Sequence, residues 1–390
     1  MKPAKPFSAT MDEQTFIPPT MRALYYTPLP TTPNDPTAVS SQTSITFDTD
    51  FPVPKPSPAQ YLIKVQTTAF SHDEVRLAGL LNPTQSMPQI PLHNLCGTVI
   101  STPSEDHWNA EGPKFKVDDV VFGLVSYSRD GAAADYVLAY EDELAFKPQN
   151  ISAAEAATIP LPSLTAWQAI FTYAGLDDNL DRNASNGKHK HLRVLVTNAY
   201  DNEVGMQAVQ LLRSKSLFPN QRRPWICVTC SSPEQEMALR ENHDVDETIV
   251  APLPIDPSFD LATPFRSNRW DPVDIVLDCA DGLMFRQAHS SHVVKDHGAV
   301  LTAVDSTPAQ TQQHLEKDDN SERDLFSRFI AVEPDGHALG RIARLVEEEQ
   351  APRGRTESIV DLVNGADLLD AGAAGAAGAR RGGMFVMKVN

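Results

Sequence analysis

Residues 193–212 combine residue types and spacing that could bind a phosphate group. Residues 194–196 form a short apolar, β-branched run, which is typical of a strand buried on both faces. Farther along, apolar residues recur at helical spacing, at Val204, Ala208, Leu211 and Leu212. A polar turn separates the two elements. Because the free N–H groups and the dipole of a helix start attract anions, this stretch predicts a phosphate-binding turn.

The turn departs from the usual dinucleotide pattern, in which three glycines follow the spacing Gly-x-Gly-x-x-Gly. The three positions here are Tyr200, Asn202 and Gly205, so only the glycine needed for close helix–strand packing is kept. Asn202 tolerates positive φ better than most residues, and the turn can therefore still form. The flanking acids Asp201 and Glu203 disfavour a diphosphate. The sequence predicts a dinucleotide site that has partly degenerated.

Composition limits the classes of partner. The formal net charge of −18 argues against nucleic acid or an anionic membrane as a partner. The chain has no run of about 18 apolar residues that would cross a bilayer, and residues 1–21 lack the apolar segment of a signal peptide. Four cysteines in 390 residues indicate a reducing compartment. We expect a soluble, cytoplasmic protein of two domains that acts on a small-molecule substrate.

Two of the cysteines, Cys227 and Cys230, form a C-x-x-C pair that could bind a metal. They lie in the apolar run 225–230, which reads as a buried strand. Alternation along a strand would place the two thiols on opposite faces of the sheet. We therefore expect core cysteines rather than a metal site.

The first part of the chain reads as a compact, barrel-like β unit of short strands joined by turns. Strands are predicted over residues 21–26, 61–70, 96–100 and 134–139, and residues 115–123 read as a turn that leads into a strand. Residues 27–44 read as a polar loop. A capping box formed by Ser152 and Glu155 starts a helical region, and residues 164–173 form an amphipathic helix.

From residue 193 strands and helices alternate, which implies a parallel, doubly wound sheet. The predicted strands cover residues 193–196, 225–230, 247–250, 274–279, 299–304, 328–332 and, last, 383–389. One helix is predicted to start at residue 204, and three more are predicted over residues 233–242, 284–294 and 336–349. Residues 177–190 and 305–324 read as loops, and residues 370–383 as a weak helix and turn.

Several of these segments resemble the medium-chain dehydrogenase/reductase superfamily, in particular its zinc-free quinone-oxidoreductase-like and fungal enoyl-reductase-like branch. The resemblance rests on residues 134–137, 147–148, 153–160, 164–169 and 199–205, and on the turn 115–120. It implies an α/β fold: a GroES-like β-barrel catalytic domain plus a Rossmann doubly wound parallel-sheet domain. The expected boundaries are 1–163 for the first part of the catalytic domain, 164–332 for the Rossmann domain, and 333–390 for a C-terminal helix and the return to the catalytic domain.

The resemblance also allows zinc to be judged. Zinc-dependent members have a cysteine near Ser71, a His/Glu pair near residues 92–94 and a four-cysteine lobe, whereas this chain has Asn94 in place of the acid and no such lobe. Catalytic zinc needs three convergent ligands and an open position. His72, Asp73 and His93 could supply ligands in principle, but surface or hydrogen-bonded roles are favoured. We predict no metal.

Cofactor choice follows from the end of the second nucleotide-domain strand, where an NAD site normally has an acid. Ser231 and Ser232 stand there instead and could donate to a 2′-phosphate. The usual lysine is replaced by Gln235, and Ser231 is equally compatible with a helix N-cap. The sequence predicts NADPH over NADH.

The resemblance implies further cofactor contacts. Thr165 would lie near the nicotinamide, and the phosphate turn would contribute Ala199, Asn202, Glu203, Val204 and Gly205. The remaining contacts are strand residues next to the ribose and nicotinamide, namely Ala303, Val304, Phe329, Ile330 and Ala331. For each of these strand residues, a role in core packing is at least as compatible with the sequence as a cofactor contact. Thr165 is the exception, because it lies in the most specific motif.

In this branch, hydride passes from the reduced nicotinamide to an electron-poor C=C or quinone. The protein supplies position, exclusion of water and a polar group for the developing enolate oxygen. Ser71, His72 and Tyr127 are the candidate catalytic residues and proton donors. Adjacent residues 71–73 cannot converge as a nucleophilic triad requires.

Two functions remain open. The first is a zinc-independent, NADPH-dependent reductase of an enone, enoyl or quinone substrate in fungal secondary metabolism. The second is a cofactor-independent cyclase or lyase, or a binding protein, which the degenerate turn favours. The resemblance implies a monomer or a homodimer that pairs through an edge strand.

Overall fold

The structure, a computed structural model, describes residues 16–28, 43–71, 78, 81, 88–107, 112–176, 191–219, 222–252, 255–280, 282–304, 323–373 and 382–390. Two residues that the sequence analysis singled out, His72 and Asp73, lie outside the described residues. Most of the predicted loops 27–44, 177–190 and 305–324 also lie outside them.

Strands from both ends of the chain form a β unit that is antiparallel except for its last two strands, Thr356–Asp361 and Met384–Lys388, which pair parallel. Strands are numbered in chain order. The hairpin partners are β1 (Thr20–Pro28) and β2 (Thr43–Pro52). A seven-stranded sheet contains β3 (Tyr61–Phe70), β4 (Asn94–Ser101), β5 (Val120–Leu124), β6 (Tyr136–Ala139), β7 (Leu144–Phe146), β14 (Thr356–Asp361) and β15 (Met384–Lys388). The C-terminal strand β15 pairs antiparallel with β3, Phe385 opposite Phe70. The two ends of the chain therefore share one sheet.

The middle of the chain forms a six-stranded parallel sheet in the order β10-β9-β8-β11-β12-β13. These strands are β8 (Arg193–Val196), β9 (Trp225–Cys230), β10 (Glu247–Val250), β11 (Val273–Asp278), β12 (Val294–Thr302) and β13 (Phe326–Phe329). Counted from β8, the order is 3-2-1-4-5-6, the doubly wound arrangement whose ligands bind at the carboxyl edge between the first and fourth strands. The predicted fold class, GroES-like β-barrel plus Rossmann sheet, is confirmed.

Helices cover the sheet and join it to the β unit. They are α1 (Ala153–Ala157), α2 (Pro160–Trp167), α3 (Glu203–Arg213), α4 (Pro233–His243), α5 (Ala262–Asn268), α6 (Leu283–Ala288), α7 (Gly336–Glu349) and α8 (Gly365–Ala373). A π-helical segment, Gln168–Tyr173, continues α2. Single 3₁₀ turns lie at Glu105–His107, Glu141–Glu143 and Leu362–Asn364.

The two cysteines of the C-x-x-C pair pack into different cores. Cys227 belongs to the hydrophobic cluster around α5 and α6, and Cys230 to the cluster around α3. Both thiols are buried, and burial raises their pKa. The prediction of core cysteines on opposite faces is confirmed.

Most strand predictions agree with the structure, and two predicted elements are wrong. The helix predicted over 284–294 ends at Ala288, because Val293 and Val294 are β-branched residues that favour a strand and lead into β12. The strand predicted over 328–332 runs two to three residues earlier, as β13. Elements β2, β7, β14 and α5 were not predicted. Helix α8 overlaps the weak helix predicted over 370–383 at residues 370–373, and it begins five residues earlier.

The capping box at the start of α1 is confirmed. The Ser152 hydroxyl accepts a hydrogen bond from the Glu155 N–H at 3.2 Å, and the Glu155 carboxylate accepts from the Ser152 N–H at 2.9 Å. These contacts satisfy two N–H groups that the first turn would otherwise leave unpaired.

Replacing Ser152 with alanine is expected to lower the free energy of unfolding by about 1 kcal/mol, because it removes the hydroxyl of this cap. Urea denaturation measures the change. Ser104→Ala is the control, since its exposed hydroxyl caps no α-helix and contacts the Pro58 carbonyl at 3.3 Å and His107 Nδ1 at 3.2 Å. Equal effects of the two substitutions would contradict the assignment.

Candidate cofactor and substrate site

The turn between β8 and α3 is held open by its own polar contacts. Asn198 has a positive φ of 47°, and its N–H donates to the Thr229 hydroxyl at 2.7 Å. The Ala199 N–H donates to the Thr229 carbonyl at 3.0 Å. Asn202 itself is extended, with φ −133°. The left-handed residue of the turn is therefore Asn198, and the expectation that Asn202 would use its tolerance of positive φ is wrong.

Asn202 instead caps the helix that follows. Its side-chain oxygen accepts from the N–H groups of Val204 and Gly205, at 2.9 and 3.2 Å. Gly205 is needed where it stands, because a Cβ there would lie 2.9 Å from the Cα of Ala199. The side chain of Asn202 thus occupies two of the amides that a dinucleotide phosphate would use.

Three further amides at the turn have no partner among the described residues. No described residue accepts a hydrogen bond from the backbone N–H of Asp201, Asn202 or Glu203. Successive free N–H groups at a helix start form a concave site for an anion, and the helix dipole adds to it. The turn keeps the donors that a diphosphate needs.

The acid at the helix start is neutralised by Arg355. The Arg355 guanidinium pairs with Glu203, Nε to Oε1 at 3.0 Å, and its backbone N–H donates to Oε2 at 3.2 Å. The same guanidinium donates to the Tyr200 carbonyl and lies over the Tyr200 ring, 4.8 Å from its centroid. Burial raises the pKa of Glu203, and Arg355 opposes that rise. Because Arg355 is 152 residues away along the chain, no local pattern reveals it.

A second acid of the β8–α3 turn, Asp201, contacts the residues that follow β9. The Asp201 carboxylate accepts from the Ser231 hydroxyl at 2.8 Å and from the Gln235 amide at 2.7 Å. The Gln235 side-chain oxygen accepts from the Ser231 N–H at 2.8 Å. Ser232, not Ser231, is the N-cap of α4, since its hydroxyl accepts from the Gln235 N–H. The NADPH prediction rests on the absence of an acid at the end of β9. In the folded protein the Asp201 carboxylate lies there, although it comes from a different part of the chain.

Of the remaining predicted cofactor residues, Thr165 lies in α2, and the others end or follow β12 and β13. The Thr165 hydroxyl donates to the Leu161 carbonyl within α2 at 2.8 Å. The Ala303 N–H donates to the Asp278 carbonyl at 2.9 Å. Val304 and Ile330 are buried, Ala303 and Phe329 are half-buried, and Ala331 is exposed.

A buried carboxylate joins three strand ends near these residues. Asp278 accepts from the Thr197 hydroxyl at 2.6 Å and from the Thr302 hydroxyl at 3.2 Å. These contacts connect the ends of β8, β11 and β12 at the point where the strand order reverses. Asp278 therefore holds three strand ends together at the carboxyl edge of the sheet, a role that sequence reasoning missed.

One edge of the β unit brings candidate catalytic residues together. Ala69 of β3 pairs with Asn94 of β4, which pairs in turn with Leu124 of β5. Half-buried Ser71 follows β3 and Tyr127 follows β5, so both lie at the same sheet edge. Tyr127 is buried, with 5% of its surface exposed, so its phenol lies inside the protein.

His93, at the same edge, is a fully buried side chain against Tyr127, with ring centroids 4.0 Å apart. Neither ring nitrogen makes a hydrogen bond of normal geometry to a described residue. Burial, with repulsion from Arg129, lowers the pKa of His93 to about 3, although the backbone near Val125 opposes this. The imidazole is neutral at physiological pH, and His93 lies in the interior of the protein, so a surface role is wrong.

Asn94 connects this edge to the helix that carries Thr165. Its side-chain oxygen accepts from the Leu161 N–H at 2.8 Å, and its side-chain amide donates to the Ala69 carbonyl at 3.0 Å. These contacts need one acceptor and one donor, which an amide provides and a carboxylate does not. Both the oxygen and the nitrogen of the Asn94 side-chain amide are thus hydrogen-bonded within the protein.

The described ranges contain neither a metal-binding cluster nor a helix able to cross a membrane. These ranges hold no group of three His, Cys, Asp or Glu side chains that could bind a metal ion. None of their helices has both the length and the apolar character needed to cross a bilayer.

Known proteins resemble this chain along most of its length. A probable zinc-binding oxidoreductase, mitochondrial, of Arthroderma benhamiae is 29% identical over 82% of this chain and 86% of its own. A chloroplast envelope quinone oxidoreductase homolog of Arabidopsis thaliana is 26% identical over 80% and 84% of the two chains. No family model matches the chain.

Solved structures show the same fold. An alcohol dehydrogenase superfamily protein from Novosphingobium aromaticivorans has a TM-score of 0.69 at 19% identity and covers 95% of this chain and 100% of its own. The CurK enoyl reductase has a TM-score of 0.67 at 16% identity, over 94% and 99% of the two chains. These likenesses to named oxidoreductases, together with the shared fold, support assignment of the chain to the medium-chain dehydrogenase/reductase superfamily, whose members are NAD(P)H-dependent oxidoreductases.

Proposed function

We propose that the chain transfers hydride from a reduced nicotinamide dinucleotide to the activated C=C of an enone, enoyl or quinone substrate. One observation carries the proposal. The N–H groups of Asp201, Asn202 and Glu203 donate to no described residue, and they lie at the start of α3 beside a Glu203 carboxylate that pairs with Arg355. Donors without partners beside a neutralised acid suit a diphosphate.

The residues at the crevice fit the rest of a dinucleotide. The free amides and the start of α3 would hold the diphosphate, while Thr165, Ala303 and Val304 would border the ribose and nicotinamide. Phe329, Ile330 and Ala331 would lie along the nicotinamide face. When bound, the nicotinamide supplies the hydride.

The chain itself must position the substrate and move one proton. Ser71 and Tyr127 lie at one edge of the β unit, and His72 is adjacent to Ser71 in sequence. A hydroxyl or phenol there would donate a hydrogen bond to the developing enolate oxygen and pass a proton to the neighbouring carbon. The buried ring of His93, whose centroid lies 4.0 Å from that of Tyr127, would hold the Tyr127 side chain in position.

We propose that the reaction uses no zinc. In the zinc-dependent pattern an acid stands at Asn94, and here the amide of Asn94 is bonded to Leu161 and Ala69 instead. Dialysis of the protein against a chelator is therefore expected to leave the rate of nucleotide oxidation unchanged. Loss of the rate on dialysis, with recovery on adding Zn²⁺, would contradict this.

The direct test is an assay of NADH and NADPH oxidation with three substrate classes: a quinone, an enone and an enoyl thioester. We expect oxidation with at least one class and a lower rate for Tyr127→Phe. Nucleotide binding without turnover of any class would overturn the reductase proposal.

A second function is favoured by one contact. Because the Asn202 side chain occupies the Val204 and Gly205 amides, the turn is partly self-satisfied. A cofactor-independent cyclase or lyase, or a binding protein on this scaffold, would need no diphosphate there. Absence of binding by either nucleotide would favour this function.

The biological setting also remains a proposal: a monomeric or homodimeric cytoplasmic enzyme of fungal secondary metabolism. The free, buried cysteines Cys96, Cys227, Cys230 and Cys279 are in keeping with a reducing compartment. Fractionation of the source cells and the mass of the purified protein in solution test these points.

A further inference from the structure

We infer that Asp201 makes the adenosine-ribose pocket select NADH against NADPH, an inference that rests on the proposed function. Rossmann folds that bind NAD normally place an acid at the end of the second strand, where it accepts from the ribose hydroxyls. Here β9 ends at Cys230 and is followed by Ser231, so the strand itself provides no acid. Asp201 supplies the carboxylate from the neighbouring turn.

The position of the carboxylate is fixed from two sides. Ser231 directly follows β9, and its hydroxyl donates to one oxygen of Asp201 at 2.8 Å. The Gln235 amide, on the first turn of α4, donates to the other oxygen at 2.7 Å. The Gln235 oxygen in turn accepts from the Ser231 N–H. Ser231, Gln235 and Asp201 thus form a closed set of hydrogen bonds at the end of β9.

A ribose 2′-hydroxyl and a 2′-phosphate meet this acid differently. A hydroxyl can donate to the carboxylate, which still has lone pairs to accept with. A phosphate monoester carries a charge of about −1.5 to −2 and only accepts. Two charges of the same sign in contact repel each other, and the repulsion is stronger in a partly buried site than in bulk water. The pocket therefore favours the unphosphorylated ribose.

The donors and cations that a 2′-phosphate would need are already engaged. The Ser231 hydroxyl and the Gln235 amide both point at Asp201. On α4, Arg240 pairs with Glu236 and Glu247. Arg355 pairs with Glu203. Binding a 2′-phosphate would break one of these contacts and leave an acid next to the phosphate.

The experiment compares the affinities of NADH and NADPH by calorimetric titration of the full chain, without substrate. Wild-type protein is expected to bind NADH at least about tenfold more tightly than NADPH, which corresponds to about 1.4 kcal/mol. Asp201→Asn keeps the shape of the side chain and removes the charge. It is expected to tighten NADPH at least about fivefold, so that the preference shrinks or reverses.

The matched control is Glu234→Gln, which removes an exposed charge on the first turn of α4 that does not touch Asp201. It is expected to leave the ratio of the two affinities within about twofold. Equal or tighter binding of NADPH by the wild-type protein would overturn the inference and leave the proposed function standing. An unchanged ratio in Asp201→Asn would do the same. If neither nucleotide binds the wild-type protein, the proposed function fails, and the inference fails with it.

Discussion

Replacing Arg355 with methionine is expected to lower the free energy of unfolding by about 2–3 kcal/mol. The substitution leaves the Glu203 carboxylate, 7% exposed, without its partner, and uncompensated buried charges are costly. The estimate lies below the cost for a fully buried pair, because the Arg355 side chain is 33% exposed and water screens part of the interaction. Chemical denaturation at pH 7 measures the change.

A neighbouring arginine provides the control. Arg353 is 42% exposed and approaches Glu155 only to 4.0 Å, so Arg353→Met is expected to cost no more than about 0.5 kcal/mol. Combining Arg355→Met with Glu203→Gln removes both charges and should recover most of the lost stability. If Arg353→Met and Arg355→Met cost the same, the proposed role of Arg355 is wrong.

The loss in Arg355→Met should depend on pH with a defined sign. Burial raises the folded-state pKa of Glu203, so its contribution to stability is full below the unfolded value of about 4.3 and is lost as pH rises through the folded pKa. Without Arg355 that pKa rises further. The difference in stability between the variant and the wild-type protein should therefore shrink as pH falls from 7 towards 5. A difference that does not change with pH would show that Glu203 is not its source.

Replacing Asn202 with glycine is expected to tighten the binding of the reduced nucleotide about tenfold. The substitution removes the oxygen that accepts from Val204 and Gly205, so two more amides become free for the diphosphate. The cost to the helix is only a few tenths of a kcal/mol, because glycine is a tolerable N-cap. Calorimetric titration with NADH measures the effect.

Asp335→Gly is the matched control for this substitution. Asp335 caps α7 in the same way, accepting from the His337 and Ala338 N–H groups at 3.0 and 2.9 Å. It should affect stability similarly and leave the nucleotide affinity unchanged. An unchanged affinity in Asn202→Gly would mean that the turn does not hold the diphosphate.

The sequence predicted those parts of the fold that short-range patterns determine. The strands Tyr61–Phe70, Trp225–Cys230 and Glu247–Val250 and the helix Gly336–Glu349 follow from apolar periodicity, and the structure has the same bounds. Strand β14 escaped prediction because it lies at the end of its sheet and alternates between exposed and half-buried residues, without a buried run. Pattern reasoning works where burial is strong and continuous.

The candidate site was less predictable, because its contacts join distant parts of the chain. In the sequence Glu203 is an acid that disfavours a diphosphate, whereas in the structure its carboxylate pairs with Arg355. Ser231 reads as a phosphate donor until Asp201 accepts its hydroxyl. His93 gives no sign in sequence that both of its ring nitrogens are buried beside Tyr127. In each case the chemistry of the residue is set by a partner that no local spacing reveals.

The central claim, that the turn before α3 binds the diphosphate of a reduced nicotinamide dinucleotide, is tested most directly by a crystal structure of the protein soaked with NADH. The account predicts the diphosphate on the N–H groups of Asp201, Asn202 and Glu203, with the Glu203 carboxylate still on Arg355. An empty crevice at saturating NADH, or the Glu203 carboxylate in the phosphate position, would contradict it.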